Sequence, residues 1–386
     1  MAIAPNPEDI VKDVLRIYAD AEQRIMEKIA NRLAEDIDEP TWHQRKLAEI
    51  ARHRATTEAI LKQIRKHGSE IVTSYIIESY LMGMFSADED LINLGADRAY
   101  EVITPAVADE VYEYTSSYIQ SGAKDVSTET LGAFGLMHVE SIVALAQATL
   151  NRLENAHVTI LRNANDAYRQ VIAEVIGSGL AGADTRRQVV QRALNKFADR
   201  GIWAFRDKAG RQWDIATYAE MSVRTGMAQA RIQGHINRMT QQGHDLVRVS
   251  DHPEESPLCR PHERKIYSIS GTHPKYKPLS WAIANGLFHP NCRHTINAYI
   301  EGLSDPDVPT PTADPRGYEL RMEQRKMERM IRKWKKRQAV AITEEEKQFA
   351  ARKVREWQAK LREFVAEHDR RRDYSREQIH IPQTLR

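Results

Sequence analysis

The sequence predicts an α+β fold that is mostly α-helical, with long N-terminal helices, a small α+β module carrying a few antiparallel strands, and a charged helical C-terminal tail. Three observations predict it. Apolar residues recur every three or four positions over long stretches before Gly177, which is the period of an amphipathic helix. Beyond Gly243 the pattern changes to short runs of β-branched and aromatic residues between loops rich in Pro and Gly. After a proline-rich segment the chain turns to long, highly charged, helix-forming runs.

The first helix follows from Val14, Ile17, Ala21, Ile25, Ile29, Leu33 and Ile37, which share one helical face, and Pro40 ends it. A second is expected from Trp42 to His67, with Leu47, Ile50, Leu61 and Ile64 inward and Gly68 as its C-terminal cap. These two charged-faced helices suggest a hairpin or an oligomeric bundle. From Ile71 to Gly135 the period weakens, and Gly83, Gly95, Gly122 and Gly132 read as punctuation between short helices. A long amphipathic pattern resumes from Val139 through Ile160 to Val175 and stops at Gly177-Ser-Gly179. Thr185-Arg-Arg-Gln188 has capping-box spacing and starts a helix to about Asp199. Ile202–Arg206 and Arg211–Trp213 flank a turn-like Asp207-Lys-Ala-Gly210 and fit a hairpin, and another long helix runs from Ile215 to about Gln242. Leu246–Ser250, Lys265–Ser270 and Thr295–Ile300 are the strand candidates of the small module. Ser304 to Gly317, with four prolines, reads as an extended linker, and helices are expected over about 319–338 and 344–372.

Composition narrows the function classes. With 41% hydrophobic and 28% charged residues in 386, the chain can bury a core in more than one domain. No run approaches the roughly 18 apolar residues of a membrane span, and the start lacks the pattern of a signal peptide, so a cytosolic, non-membrane protein is expected. The net charge of +2 hides an acidic body and a basic tail. There is no Walker-type or dinucleotide-type glycine loop; Gly177-Ser-Gly-Leu-Ala-Gly182 lacks the lysine and reads as a connector.

The two cysteines cannot make a disulfide framework, but each lies beside histidine. Cys259-Arg-Pro-His262 is C-x-x-H and Cys292-Arg-His294 is C-x-H, with His289 three residues before Cys292. Thiolate and imidazole suit zinc, and two short clusters joined by a long loop are a common way to encode a tetrahedral structural site. Cys259, His262, Cys292 and His294 would fill all four positions, with His289 an alternative to His294. The competing reading makes both cysteines small buried hydrophobes. A metal-dependent hydrolase or nuclease built on the same cluster is a further alternative, with Asp251, Glu254, Glu255 and Asn291 as the nearby polar groups.

The tail offers a possible nucleic-acid surface: Arg332, Lys333, Lys335, Lys336 and Arg337 around Trp334, and Arg370, Arg371 and Arg372. The interspersed Glu323, Glu328, Glu356 and Glu363 equally fit solvated helices laced with ion pairs.

Taken in order, Tyr218-Ala-Glu-Met-Ser-Val-Arg-Thr225, Gly243, Val247-Arg-Val-Ser250 with His252, Arg260-Pro-His262, Lys265-Ile-Tyr-Ser-Ile-Ser-Gly271 and Gly286-Leu-Phe-His-Pro-Asn-Cys-Arg-His294 resemble the phage minor capsid protein 2 family and the related Mu F-like head morphogenesis proteins. The resemblance is strong over about a quarter of the chain. In Mu F-like relatives the two clusters are commonly C-x-x-C and C-x-C; here His262 and His294 stand at the second cysteines. The resemblance implies a non-enzymatic structural protein inside the procapsid and virion head of a tailed bacteriophage. It would be assembled in the bacterial host cytoplasm and partnered by the portal and other head proteins. It also implies a role in head assembly and in packaging or ejection of double-stranded DNA. The expected organisation is a helical region over 1–180, the Mu F-like module over 181–303, a linker over 304–317 and a basic helical tail over 318–386. Self-association would run through the N-terminal helices.

Overall fold

The computed structural model describes residues 7–121, 135–179, 185–206, 210, 212–305 and 314–379. Its helices are α1 (Pro7–Ala34), α2 (Trp42–Ala48), α3 (Ile50–Leu94), α4 (Pro105–Ser121), α5 (Leu136–Gly179), α6 (Arg186–Arg200), α7 (Ile215–Gln241), α8 (Leu279–Ala284), α9 (Pro315–Ala339) and α10 (Glu344–Glu367). The strands are β1 (Trp203–Arg206), β2 (Gln212–Asp214), β3 (Leu246–Val249), β4 (Ile266–Ser268) and β5 (Ile296–Ala298). The fold is a mostly helical α+β arrangement with two small antiparallel sheets, β1-β2 and β4-β3-β5. No described helix is long and apolar enough to cross a membrane. Gly122 and Gly132, residues 180–182, the 207–209 turn and the prolines of 306–313 lie outside the described residues.

The chain divides into two compact units. One comprises residues 11–68, 152–220 and 320–386. In it the predicted face of α1 is buried: Val14, Ala21, Ile25, Ile29, Leu33 and Ile37 are core, with Tyr18 taking the place expected for half-buried Ile17. That apolar face is therefore used inside the chain's own unit. The expected second helix is split, because the α2 run ends at Ala48 and Leu47 is exposed, while Leu61 and Ile64 on α3 are buried. The Thr185 capping box forms as read: Gln188 N–H donates to the Thr185 hydroxyl and the Gln188 side chain returns a bond from the Thr185 N–H. Glu22, 2% exposed, accepts from Lys336 Nζ at 2.7 Å and from the Ile202 N–H at 3.1 Å, so a buried charge is paired rather than stranded.

The other unit comprises residues 69–151 and 221–319 with the first ten residues. Gly68, the last residue of the first unit's opening segment, and Gly83 in this one break nothing: both lie inside the 45-residue α3. The expectation of short helices from Ile71 onward is corrected, because α3 continues to Leu94 on a buried face of Val72, Ile76, Tyr80, Met84, Ala87 and Leu91. Gly83 permits close packing instead of ending a helix. A Cβ there would lie 1.9 Å from the Arg231 carbonyl oxygen of α7, and one on Gly234 would lie 2.1 Å from the Tyr80 carbonyl oxygen of α3.

A polar network runs beside this crossing. Arg238, fully buried, donates to Asp88 Oδ1 at 2.8 Å, to Gln241 Oε1 at 2.6 Å and to the Glu101 carbonyl at 2.5 Å. Asp88 also accepts from Gln242 and from the Ile103 N–H. Gln241 Oε1 accepts from His138 Nε2, which leaves His138 Nδ1 to accept from the Tyr80 hydroxyl at 2.9 Å. Asn237 completes the chain by donating to Tyr80 and Ser141. Arg238→Met should cost about 3–5 kcal/mol in urea unfolding, because it strands Asp88 without its counter-charge. A loss below about 1 kcal/mol would show that water or Gln242 suffices for Asp88.

Candidate metal centre

The three-stranded sheet explains why two distant clusters meet. Val249, at the C-terminal end of β3, pairs with Ile296, at the start of β5, and Ser250 N–H donates to the Thr295 carbonyl just beyond. The loop leaving β3 and the loop entering β5 therefore share one end of the sheet. The first loop carries Cys259 and the second carries Cys292. Both sulfurs are buried in a cluster formed by Ile232, Val247, Val249, Tyr267, Leu279, Leu287 and Ile296.

The two thiols are free and their sulfurs stand 3.3 Å apart. One nitrogen of His289 joins them: the ligand atoms of Cys259, His289 and Cys292 all lie within 4.8 Å of one another. His289 Nδ1 donates to the Pro290 carbonyl at 2.8 Å, while its Nε2 is buried without a hydrogen-bond partner. His294 Nδ1 lies 3.4 Å from Cys292 Sγ, and its Nε2 donates to Glu263 Oε1 at 2.7 Å. Each sulfur also receives a backbone N–H, Phe288 onto Cys259 and His294 onto Cys292. Such donors favour thiolate over thiol.

Electrostatics separate the two sulfurs. The hydrogen bond from Cys259 and the neighbouring His294 lower the Cys292 pKa against burial, whereas Cys259, donating to Cys292 and desolvated, is pushed up. The Cys292 and Glu263 contacts raise His294 against the opposing desolvation, which is the largest single effect.

Of the four ligands expected from sequence, Cys259 and Cys292 are brought together, His294 reaches Cys292 but falls outside the mutual cluster that His289 completes, and His262 is turned elsewhere. A 3-10 turn at Arg260–His262 directs the His262 ring to the Tyr267 hydroxyl at 2.8 Å and the Asn285 carbonyl at 3.3 Å, so both nitrogens are engaged. His289 takes the fourth expected position instead, on a loop where Phe288 and Asn291, on either side of His289-Pro290, have φ of +57° and +66°; at Phe288 this is a strained conformation. The loop is tied to α7 where Thr225 Oγ1 accepts from the Asn291 N–H. None of Asp251, Glu254 and Glu255 belongs to the thiol cluster: Asp251 pairs with Arg264, Glu255 with Arg260, and Glu254 lies near Gly317.

The basic tail is largely engaged within its own unit. Lys336 pairs with Glu22, Arg337 and Lys333 with Asp199, and Arg372 with Glu377. Arg332 donates to the Arg376 carbonyl, Lys335 to Gln378 and Arg370 to Gln324. Arg371 is exposed. Trp334 packs edge-on against Phe349 under Arg337, 4.7 Å from its ring.

The family model described as phage minor capsid protein 2 matches residues 6–132 and 137–366, nearly the whole chain. The chain belongs to that family. A similar curated protein, called a structural protein, comes from Lactococcus phage LL-H; it is 23% identical over 274 residues, spanning 66% of this chain and 72% of the relative. No solved structure matches. The chain is thus a phage minor capsid family member, and its similarity to that structural protein extends well beyond the small module. The cluster of Cys259, Cys292 and His289 is a candidate metal centre within it.

Proposed function

We propose that this minor capsid protein works inside the virion head, next to the portal, where it supports head assembly and DNA packaging or ejection without catalytic turnover. The observation that carries this reading is the extent of the family match, which takes in both compact units rather than the Cys/His module alone. Packing supports a structural role. The module is built on a buried apolar cluster and its cysteines are enclosed by it. Two of the acidic groups that a hydrolytic reading would draw on, Asp251 and Glu255, are paired with Arg264 and Arg260.

Protein partners, with the portal foremost, fit this reading better than DNA held by the tail. Lys336 and Arg337 would have to release Glu22 and Asp199 before meeting a phosphate, exchanging intramolecular pairs for exposed ones. Cross-linking mass spectrometry on purified procapsids and mature heads tests the proposal. Links between this protein and the portal in both particles are the expected result, while its absence from both particles would sink the reading.

A further inference from the structure

We infer that Cys259, Cys292, His289 and His294 hold one structural zinc ion, with His262 outside the ligand set and Glu263 orienting His294. The inference concerns the local chemistry of the module and does not depend on where in the head the protein acts.

Three independent features point to it. First, three of the donors already lie within 4.8 Å of one another, and His294 stands beside one of them, Cys292, so closure of the shell needs only His294 to move onto the ion. Tetrahedral zinc, with sulfur at about 2.3 Å and nitrogen at about 2.0–2.1 Å, sets ligand atoms roughly 3.5–3.8 Å from each other. Cys259 and Cys292 Sγ are 3.3 Å apart, His294 Nδ1 is 3.4 Å from Cys292 Sγ, and His289 falls within 4.8 Å of both sulfurs.

Second, each imidazole has one nitrogen committed to a protein acceptor and the other turned toward the sulfurs. His289 spends its Nδ1–H on the Pro290 carbonyl, so the unpartnered buried Nε2 carries a lone pair. His294 spends its Nε2–H on Glu263, so its Nδ1, 3.4 Å from Cys292 Sγ, is the nitrogen that would give up its proton to a metal. A carboxylate behind a ligating histidine is the usual outer-shell support, and Glu263 is fully buried there with its other oxygen unpartnered. His262 shows the opposite arrangement, with Tyr267 and Asn285 occupying its two nitrogens.

Third, the backbone fixes both sulfurs and the His289 loop in place. N–H groups of Phe288 and His294 point at the two sulfurs, and a φ of +57° at Phe288, with Asn291 N–H anchored on Thr225, sets the His289 loop against them. With Phe, the left-handed region is especially unfavourable. Two thiolates and two imidazoles select zinc over the oxygen-preferring magnesium and calcium, and four protein donors make a closed, structural site.

The test uses the full-length protein purified without chelator, with metal analysis and zinc-edge X-ray absorption. The wild type should hold one zinc per chain in a shell of two sulfurs and two nitrogens. His289→Cys should keep the zinc and raise the sulfur count to three, a readout that a purely packing role for His289 would not produce. His262→Gln should retain the metal and the two-sulfur shell. The inference is overturned by a two-sulfur shell in His289→Cys, by loss of zinc from folded His262→Gln, or by wild-type protein carrying no zinc, whether its thiols are free or joined in a disulfide.

Discussion

Gly83→Ala is expected to destabilise the protein by about 3 kcal/mol or more in urea unfolding, although an intrinsic helix scale predicts a gain. Gly costs about 1 kcal/mol relative to Ala inside a helix, so in the 45-residue α3 the substitution improves the local backbone. The tertiary term opposes it. The added methyl would sit 1.9 Å from the Arg231 carbonyl oxygen and 2.9 Å from the His235 amide nitrogen, both backbone atoms of α7 that no rotamer change can move. Relief requires the two helices to separate, and overpacking of this kind costs about 1–3 kcal/mol or more. The same contact is repeated at Gly234 against Tyr80, so separation would also stretch the polar chain of Tyr80, Asn237 and His138. Gly177→Ala is the internal control. Gly177 lies in α5 with nothing within 4 Å of its hypothetical Cβ, so this substitution should be neutral or stabilising by up to about 1 kcal/mol. Equal responses at the two sites would refute the close-crossing account.

Gly83 also shows where sequence reading stopped. A glycine in a weakly periodic stretch looks like a helix end, and only the approach of α7, some 150 residues away in sequence, turns it into a packing residue. Features whose causes are local were legible: the Thr185 capping box, the buried face of α1, the hairpin strands, the three strands of the small sheet, and the two tail helices. Features set by a partner chain segment were not. The spacing C-x-x-H drew attention to His262, but the 3-10 turn rotates that ring toward Tyr267. His289 gave the complementary signal, an H-x-x-C spacing with Cys292, yet nothing in the residues shows that the sheet register aligns its loop with Cys259. The tail cations likewise looked available for phosphate because Glu22 and Asp199 are far away in sequence.

Acidification from pH 7.5 to 5 should destabilise both units, and the cause is buried neutral histidine. Burial lowers the pKa of His53 and of His138 from 6.5 to about 4. For a folded-state pKa below the unfolded value, stability is fully present above pH 6.5 and is lost as the pH falls toward 4, because the unfolded chain takes up protons that the folded chain refuses. At pH 5 this amounts to about 2 kcal/mol per histidine. His53 makes the cost concrete in its unit: Nε2 donates to the Ala164 carbonyl, the ring stacks on Tyr168 at 4.7 Å, and a proton on Nδ1 would find no acceptor. In the other unit a proton on His138 Nδ1 would confront the Tyr80 hydroxyl that now donates to it. Burial and the nearby Arg231 lower His235 to about 4 as well, and neither ring nitrogen has a hydrogen-bond partner, so it adds to the loss. Carboxyls with raised pKa, Glu22, Glu78 and Asp90, act in the opposite direction as they gain protons. Thermal melts across this range should show the midpoint falling by about 4–8 °C for each histidine at pH 5. His53→Gln, which keeps a donor but cannot titrate, should flatten the profile of its unit. A slope unchanged by that substitution would assign the acid sensitivity to other groups.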